Sequence, residues 1–595
     1  MNKESVRAIL ATDCGSTTTK AILIEKIDGE YRLTVRGEAP TTVEAPAEDV
    51  TQGVRNAALE VGELAGRPII DENGDFIKPY ADGKGIDLYL STSSAGGGLQ
   101  MMVAGVVSSM SAESAQRAAL GAGAVVMEVL SSNDKRPAYE KIEIIRRLRP
   151  DMVLLSGGVD GGIQKHVVEM AQLFGAADPR PRLGINYKLP VIFAGNKDVR
   201  EQIERILGKK TALEIVDNLR PAIDRENLQP ARQKIQSQFL EHVMAHAPGY
   251  PNLMKMADEE IMPTPAAVGL IMQKIAELRH INILGVDIGG ATTDVFSVFD
   301  GVFNRTVSAN YGMSYSISNV VTDAGLDKVG RWMSFTIDEA DLRNRIKNKM
   351  IRPTSIPYLA EDLEIEQAVC REALRLSFGQ HYQLASGLKG LQRGNNIDSM
   401  FDEERGGSLI DPLRLNMLIG SGGVLSHAPE RWQAALMLTD SFLPCGITQL
   451  TVDSIFMMPQ LGVLSAIMPE AAANVFEKDC LIELGVCLAP LGASGRKAEA
   501  GKEIMQGQID GEAFTLHSGE LLLKKVPQGK TVKVGLQPKR GFDMGAGEGK
   551  PLEREVKGGT VGLVIDGRGR PALQLPEEEN ERIRKMQEWR AVMAG

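Results

Sequence analysis

Two short stretches of the chain carry the residue types of phosphoryl chemistry in one repeated arrangement. Residues 7–24 read RAILATDCGSTTTKAILI and residues 281–298 read INILGVDIGGATTDVFSV. In each, an apolar run delivers an aspartate (Asp13 or Asp287), a turn of small residues follows, and a second apolar run leaves. That pattern predicts a β-hairpin. Gly15 in the first turn, and Gly289 and Gly290 in the second, allow a tight bend with N–H groups outward. Ser16, Thr17 and Thr18, and in the second turn Thr292 and Thr293 beyond Ala291, add hydroxyl donors, so each tip is an anion-binding concavity suited to phosphate. Asp13 and Asp287, at the ends of the incoming strands, are candidate Mg²⁺ ligands, because that ion keeps several waters and takes only one or two carboxylates. The two aspartates lie 274 residues apart, and the repetition predicts two related lobes facing one nucleotide.

The elements that must position these turns follow from the hydrophobic pattern. Residues 7–38 predict a three-strand meander, residues 50–66 a helix, and residues 87–91 a buried strand followed by the Gly-rich run 91–98. Strands at 152–155 and 191–196 alternate with helices at 142–148, 166–174 and 199–207, which indicates a largely parallel sheet covered by helices. Residues 263–278 and 459–469 predict two helices opened by proline, and their small residues Ala266, Ala267, Gly269 and Gly462 permit close helix crossing. After the second hairpin a polar helical stretch runs from about 337 to 391. The segment 413–427 then returns to strand, Gly-Ser-Gly-Gly turn and helix. Beyond 491 the alternating pattern of FTLHSGELLLKKV and GTVGLVIDGRGRPAL predicts a small β-rich domain, and residues 577–593 a charged terminal helix.

Composition excludes several classes. At 595 residues the chain is too long for one core. A net charge of −10 with no dense basic face argues against a nucleic-acid partner. The five cysteines have no C-x-x-C spacing, so neither a disulfide framework nor a metal–sulfur site is expected, and a cytoplasmic location is. No apolar run reaches membrane-spanning length, and the N-terminal residues lack the apolar core of a signal peptide. The seven histidines are dispersed and predict no catalytic base.

The paired Asp-x-Gly hairpins resemble those of the actin, Hsp70 and sugar-kinase ATPase superfamily. That resemblance implies an α/β chain with two actin-like (ribonuclease H-like) ATPase lobes around a nucleotide cleft. Lobe one would span residues 1–262 and lobe two 263–490, with a helical insertion at about 335–410 and a β-rich domain at 491–595. It implies ATP and Mg²⁺ as ligands, with Asp13 and Asp287 facing the metal. Lys20 falls where actin-like members place a phosphate-contacting lysine, and Asp294 where Hsp70-like members place a second acidic residue. Gly420, Ser421, Gly422 and Gly423 match the adenosine loop, and Ser156-Gly157-Gly158 would be its counterpart in lobe one.

A narrower resemblance covers most of residues 7–490. As a set, DCGSTTTKA, STSSAGGGLQMMVAG, LLSGGVDGG, VIFAGN, MPTPAAV and GVDIGGATTD look like the methylaspartate (glutamate) mutase accessory family, labelled MutL or GlmL. What this implies is an ATP-dependent reactivating chaperone for an adenosylcobalamin-dependent mutase of the glutamate mutase or aminomutase type, releasing damaged cobalamin. The partner would be the mutase, with no nucleic acid or membrane, and homo-oligomerisation stays open. No Asp-x-His-x-x-Gly cobalamin segment occurs in the sequence. The rival is a small-molecule kinase, or a hydantoinase/oxoprolinase-like ATP-dependent enzyme, using the same hairpins.

Overall fold

The structure, a computed structural model, describes residues 5–15, 18–43, 46–94, 99–182, 187–244, 248–385, 408–492 and 499–595. β1 (Ala8–Cys14), β2 (Thr18–Ile27) and β3 (Glu30–Pro40) form the expected meander, and α1 (Val50–Ala65) leads to β4 (Leu88–Ser93). Asp49 caps α1 by accepting the Thr51 N–H, and Gly66 ends it in left-handed backbone, φ 68°. The chain then departs through β5 (Gln100–Gly105), α2 (Glu113–Gly121), β6 (Val125–Ser131), α3 (Ala138–Leu148) and β7 (Met152–Leu155). It continues with α4 (Lys165–Ala177), β8 (Pro190–Phe193), α5 (Arg200–Leu207), β9 (Ala212–Ile215), α6 (Gln229–Gln238) and α7 (Tyr250–Met256), and returns at β10 (Met262–Pro263) and α8 (Thr264–Arg279).

The second half opens with β11 (Ile283–Ile288), β12 (Thr293–Phe299) and β13 (Val302–Ser308), then α9 (Ile317–Ala324), α10 (Leu326–Gly330), α11 (Glu339–Ile351) and α12 (Ala360–Leu384). Next come β14 (Met417–Ser421), α13 (Gly423–Ser426), α14 (Arg431–Phe442), β15 (Gly446–Asp453), α15 (Met458–Ile467) and α16 (Pro469–Val475). The chain ends with β16 (Leu481–Ala489), β17 (Leu491–Gly492), β18 (Glu503–Ile509), β19 (Glu512–His517), β20 (Leu521–Lys524), β21 (Thr531–Pro538), β22 (Phe542–Asp543), β23 (Leu552–Lys557), β24 (Gly562–Asp566) and α17 (Glu579–Ala594).

Two compact units result, and the chain passes from one to the other within α8. The first unit includes Met1–Lys274 and Met457–Asp479, and its meander sheet has the order β10-β4-β1-β2-β3, with β4 parallel to β1 and β10 parallel to β4. A second, wholly parallel sheet of order β6-β5-β7-β8-β9 sits between β4 and β10 in sequence. Met101, Val103 and Leu154 alternate with Met102, Ala104, Val153 and Leu155, so both faces of this sheet are buried in apolar cores. α15 lies against β1 and β4, and a Cβ on its Gly462 would come within 2.1 Å of the Ala267 carbonyl oxygen of α8. Only glycine lets those two helices cross so closely. Asp479 accepts Arg32 Nε at 2.9 Å and the Leu33 N–H at 2.9 Å, fastening the end of this segment to β3.

In the second unit the sheet order β13-β12-β11-β14-β15 repeats that of the first meander sheet strand for strand. Both sheets have ribonuclease H-like order, and the protein is α/β with that lobe repeated along the chain, as in the actin-like ATPase fold. The sheet does not stop at β15: β16 pairs antiparallel to it, and β24 and β20 add beyond β16. Residues past 490 therefore supply two strands of this sheet as well as a separate antiparallel sheet, β19-β18-β21-β23. α17 packs on β20 and α14.

Buried charge pins this C-terminal part in place. Asp566 receives Arg568 at 2.8 Å and Arg570 at 2.7 Å, Arg568 also reaches Asp440 of α14 at 2.8 Å, and Asp440 receives Arg371 of α12 at 2.7 Å. All five groups are buried. Burial alone would raise the Asp566 carboxyl, but the two guanidinium groups outweigh it and hold it well below the usual carboxylate range.

His381 on α12 is also fully buried, with Nδ1 2.9 Å from the Thr306 hydroxyl and Nε2 2.8 Å from the Ser297 hydroxyl. Desolvation lowers its pKa from 6.5 to about 3, so the folded imidazole stays neutral where the unfolded one takes a proton. Its contribution to stability is complete above the unfolded pKa and is lost as pH falls toward the folded one. His381→Gln should flatten the loss of stability between pH 6 and 4, by up to about 1.4 kcal/mol per pH unit. Denaturant titrations of both proteins across that range check this; parallel profiles would contradict it.

Candidate phosphate and metal site

Each hairpin is built by the same local rule. The Gly15 N–H donates to Thr18 O at 3.1 Å, and the Gly289 N–H donates to Thr292 O at 2.9 Å. Asp13 lies directly opposite Lys20 across β1 and β2, and Asp287 directly opposite Asp294 across β11 and β12. Side chains directly opposite in an antiparallel pair share a face, so each turn presents its aspartate beside one further charged group. Lys20 also lowers the Asp13 carboxyl slightly against the stronger raising effect of burial.

Asp13 is buried, and its Oδ1 accepts the Thr264 hydroxyl at 2.6 Å and the Thr92 hydroxyl at 2.9 Å. Its pKa is raised because desolvation outweighs those two bonds and the charge of Lys20. Oδ2 accepts from no described residue. A buried carboxylate with one oxygen oriented by hydroxyls and the other open suits a cation, and one carboxylate per site is what Mg²⁺ uses when phosphate and water complete its shell. Among the described residues there is no cluster of three or more His, Cys, Asp or Glu that could form a dedicated metal cage. Neighbouring Cys14 is a buried thiol pushed up to about 12 by desolvation first, and is no nucleophile. Ser16 and Thr17 lie outside the described residues.

The second hairpin shows how its tip is aimed. The carbonyl of Gly289 accepts the Met313 N–H, that of Gly290 the Ser314 and Tyr315 N–H groups, and that of Ala291 the Ser316 hydroxyl. Every tip carbonyl is thus tied back by residues 313–316. The N–H groups of Gly290, Ala291 and Thr292 donate to no described residue, which is the arrangement of an anion nest. Gly290 and Gly312 make the close approach possible: a Cβ on Gly312 would lie 2.4 Å from Gly290 O.

The structure sorts the remaining sequence candidates. Thr293 is fully buried and its hydroxyl donates to Tyr311 O, so it holds the turn and does not face a ligand; Thr292 is the hydroxyl left at the tip. Asp294 is engaged by Arg305, at 2.9 Å from Nε and 2.6 Å from Nη2, so its charge is already compensated. Gly420, Ser421, Gly422 and Gly423 end β14, which runs parallel to β11 with Ser421 in register with Asp287. A Cβ on Gly422, φ 102°, would strike Ile288 O at 2.1 Å, whereas one on Gly423 would meet nothing within 4 Å. Gly420 packs against Leu425 and Leu438. The strand that corresponds to β14 in the first unit is β4, whose Thr92 is in register with Asp13. Ser156-Gly157-Gly158 is therefore not the lobe-one counterpart of this loop, because it ends β7 in the other sheet. Residues 95–98, which follow β4, lie outside the described residues.

The model of the MutL protein family matches residues 9–480. The chain belongs to the MutL family. A relative from Clostridium tetanomorphum, Protein MutL, is 27% identical over 505 residues, covering 79% of this chain and 98% of the relative. The MutL match ends before β16, so the C-terminal strands and α17 lie beyond it. Among solved structures, a nucleotide-free acetone carboxylase is 12% identical, covers 86% of this chain and 81% of its own, with a TM-score of 0.32. A nucleotide-free diol dehydratase-reactivating factor is 10% identical, covers 73% and 94%, with a TM-score of 0.28. The fold assigned to this MutL chain rests on its strand order, not on those scores.

Proposed function

We propose that this MutL-family protein is an ATP-dependent reactivating chaperone for an adenosylcobalamin-dependent mutase of the glutamate mutase or aminomutase type. The observation that carries the ATPase part is the repeated hairpin, with its aspartate buried or half-buried at the end of the incoming strand and, in the second turn, three amides that donate to no described residue. Asp13 and Asp287 would hold Mg²⁺, which when bound neutralises phosphate charge and supports phosphoryl transfer. Gly15, Ser16, Thr17, Thr18 and Lys20 in one turn, and Gly290, Ala291 and Thr292 in the other, would bind phosphate oxygens. Thr92 and Thr264 keep the Asp13 carboxylate in one rotamer. Gly423 leaves open backbone against which a nucleoside would lie, while Gly422 packs on β11 and sets the turn. Family membership supports a client of the mutase class, and no described group resembles a catalytic base for a small substrate.

The test uses a cobalamin mutase from the same genome, inactivated with cyanocobalamin. Added with ATP and fresh adenosylcobalamin, this protein should restore mutase activity, and should fail with ADP alone or without nucleotide. Absence of recovery, with ATP-dependent phosphorylation or hydrolysis of a small metabolite, would establish the kinase or hydantoinase-like reading in its place.

A further inference from the structure

The parallel sheet between β4 and β10 has the strand order of a doubly wound module, although one of its faces shares a core with the meander sheet. Numbered from its first strand, β5, the sheet runs 2-1-3-4-5, and the chain reverses direction across it between β5 and β7. In doubly wound sheets ligands bind outside the carboxyl ends of the strands at that reversal point. The loops that meet there are 106–111 after β5 and 156–162 after β7; a Cβ on Gly157 would lie 2.5 Å from the Val106 side chain.

The hydrogen bonding of both loops turns donors toward this crevice. Gly157 O accepts the Asn196 N–H at 3.0 Å, Gly158 O the Asn218 Nδ2 at 2.9 Å, and Asp198 the Gly161 N–H at 2.8 Å. With its carbonyls held from behind by residues after β8 and β9, the loop leaves the N–H groups of Gly157, Gly158 and Val159 donating to no described residue. On the other side, Ser111 Oγ accepts both the Val106 and Val107 N–H groups, at 2.9 and 3.1 Å, which sets the loop so that Ser108 and Ser109 stand exposed. Neither of those hydroxyls bonds to a described residue. Acidic Asp160 is tied back through one oxygen, its Oδ1 accepting the Asn218 side chain at 2.9 Å and the Lys197 N–H at 3.2 Å. Ile163, 74% exposed, and half-buried Val159 and Val106 add apolar surface beside the donors.

We propose that this crevice is a second binding site, separate from the hairpins, for a phosphate ester carrying a planar ring, a mononucleotide-type ligand. The three loop amides and the two serine hydroxyls take the phosphate, and the valine and isoleucine side chains take the ring. The proposal does not depend on the hairpins binding ATP. Equilibrium dialysis of the full chain with FMN and with AMP tests it, using wild type, Ser109→Glu and Asp13→Ala. Ser109 is exposed and unbonded, so Ser109→Glu folds normally and brings a negative charge to the phosphate position. At least one of the two ligands should bind wild type and Asp13→Ala alike, and bind Ser109→Glu at least tenfold more weakly with an unchanged melting temperature. Binding of neither ligand at millimolar concentration, equal binding by Ser109→Glu, or loss of binding in Asp13→Ala would each overturn it.

Discussion

Asp13→Ala and Asp287→Ala should each reduce ATP turnover by about 10²–10³-fold or more, the scale on which preorganised charge stabilisation is lost from a phosphoryl-transfer site. The loss should come without unfolding. Asp13 is a buried carboxylate whose raised pKa means that burial outweighs its hydrogen bonds, so removing it relieves a desolvation penalty. The melting temperature of Asp13→Ala should therefore stay close to that of wild type while hydrolysis disappears, the relieved desolvation offsetting the two buried hydroxyls that lose their acceptor. Asp13→Asn, which still accepts the Thr92 and Thr264 hydroxyls, should be as inactive, because it lacks the charge a cation needs. Steady-state phosphate release in Mg²⁺, with calorimetry on the same samples, reads both quantities. Turnover within threefold of wild type in both alanine variants would reduce the hairpins to structural turns.

Asp566→Ala should destabilise the second unit by about 3–5 kcal/mol, the cost of leaving a buried charge without its partner. Arg568 would retain Asp440, but Arg570, fully buried, would keep only the Pro444 and Gly569 carbonyl oxygens. The exposed pair Arg343–Glu339 of the same unit is the internal comparison: it has the same kind of contact, at 2.6 Å, yet Glu339→Ala should change little, since an exposed pair is solvated and screened. Urea midpoints followed by tryptophan fluorescence would read the difference, since all three tryptophans lie in the second unit and Trp589 stacks against Arg568. A shift for Asp566→Ala no larger than for Glu339→Ala would mean that this network is dispensable.

Much of the fold was legible because the hairpins and buried strands are local signals: the aspartate, the glycine turn and the flanking apolar runs lie within eighteen residues. What was not legible is whatever depends on partners distant in sequence. Thr264 was visible only as part of a proline-opened helix start, and its bond to Asp13 spans 251 residues. The partition of 87–196 into two sheets could not be read either, since a buried parallel strand looks the same whichever sheet receives it. Thr293 and Asp294 carry side chains that suit a ligand, but the alternation along β12 and the arginine at 305 commit them to Tyr311 and to an ion pair. The residues 313–316 that hold back the tip carbonyls carry no motif, and nothing in their sequence marks the close approach to the turn.

One consequence of the sheet order concerns synthesis on the ribosome. Domains emerging from the exit tunnel usually fold N-terminal first, as units. Here the strand that opens the chain, β1, has α15 against it, and α15 ends at Ile467. β16, in turn, has β24 for a neighbour, and β24 ends at Asp566. Neither unit can close until its late element has been made, so a nascent chain presents an unfinished first unit up to residue 467 and an unfinished second sheet up to residue 566. Slow or paused synthesis between residues 490 and 566 should therefore raise aggregation more than the same delay placed earlier, and cellular holdases will bind this protein while it is still tethered.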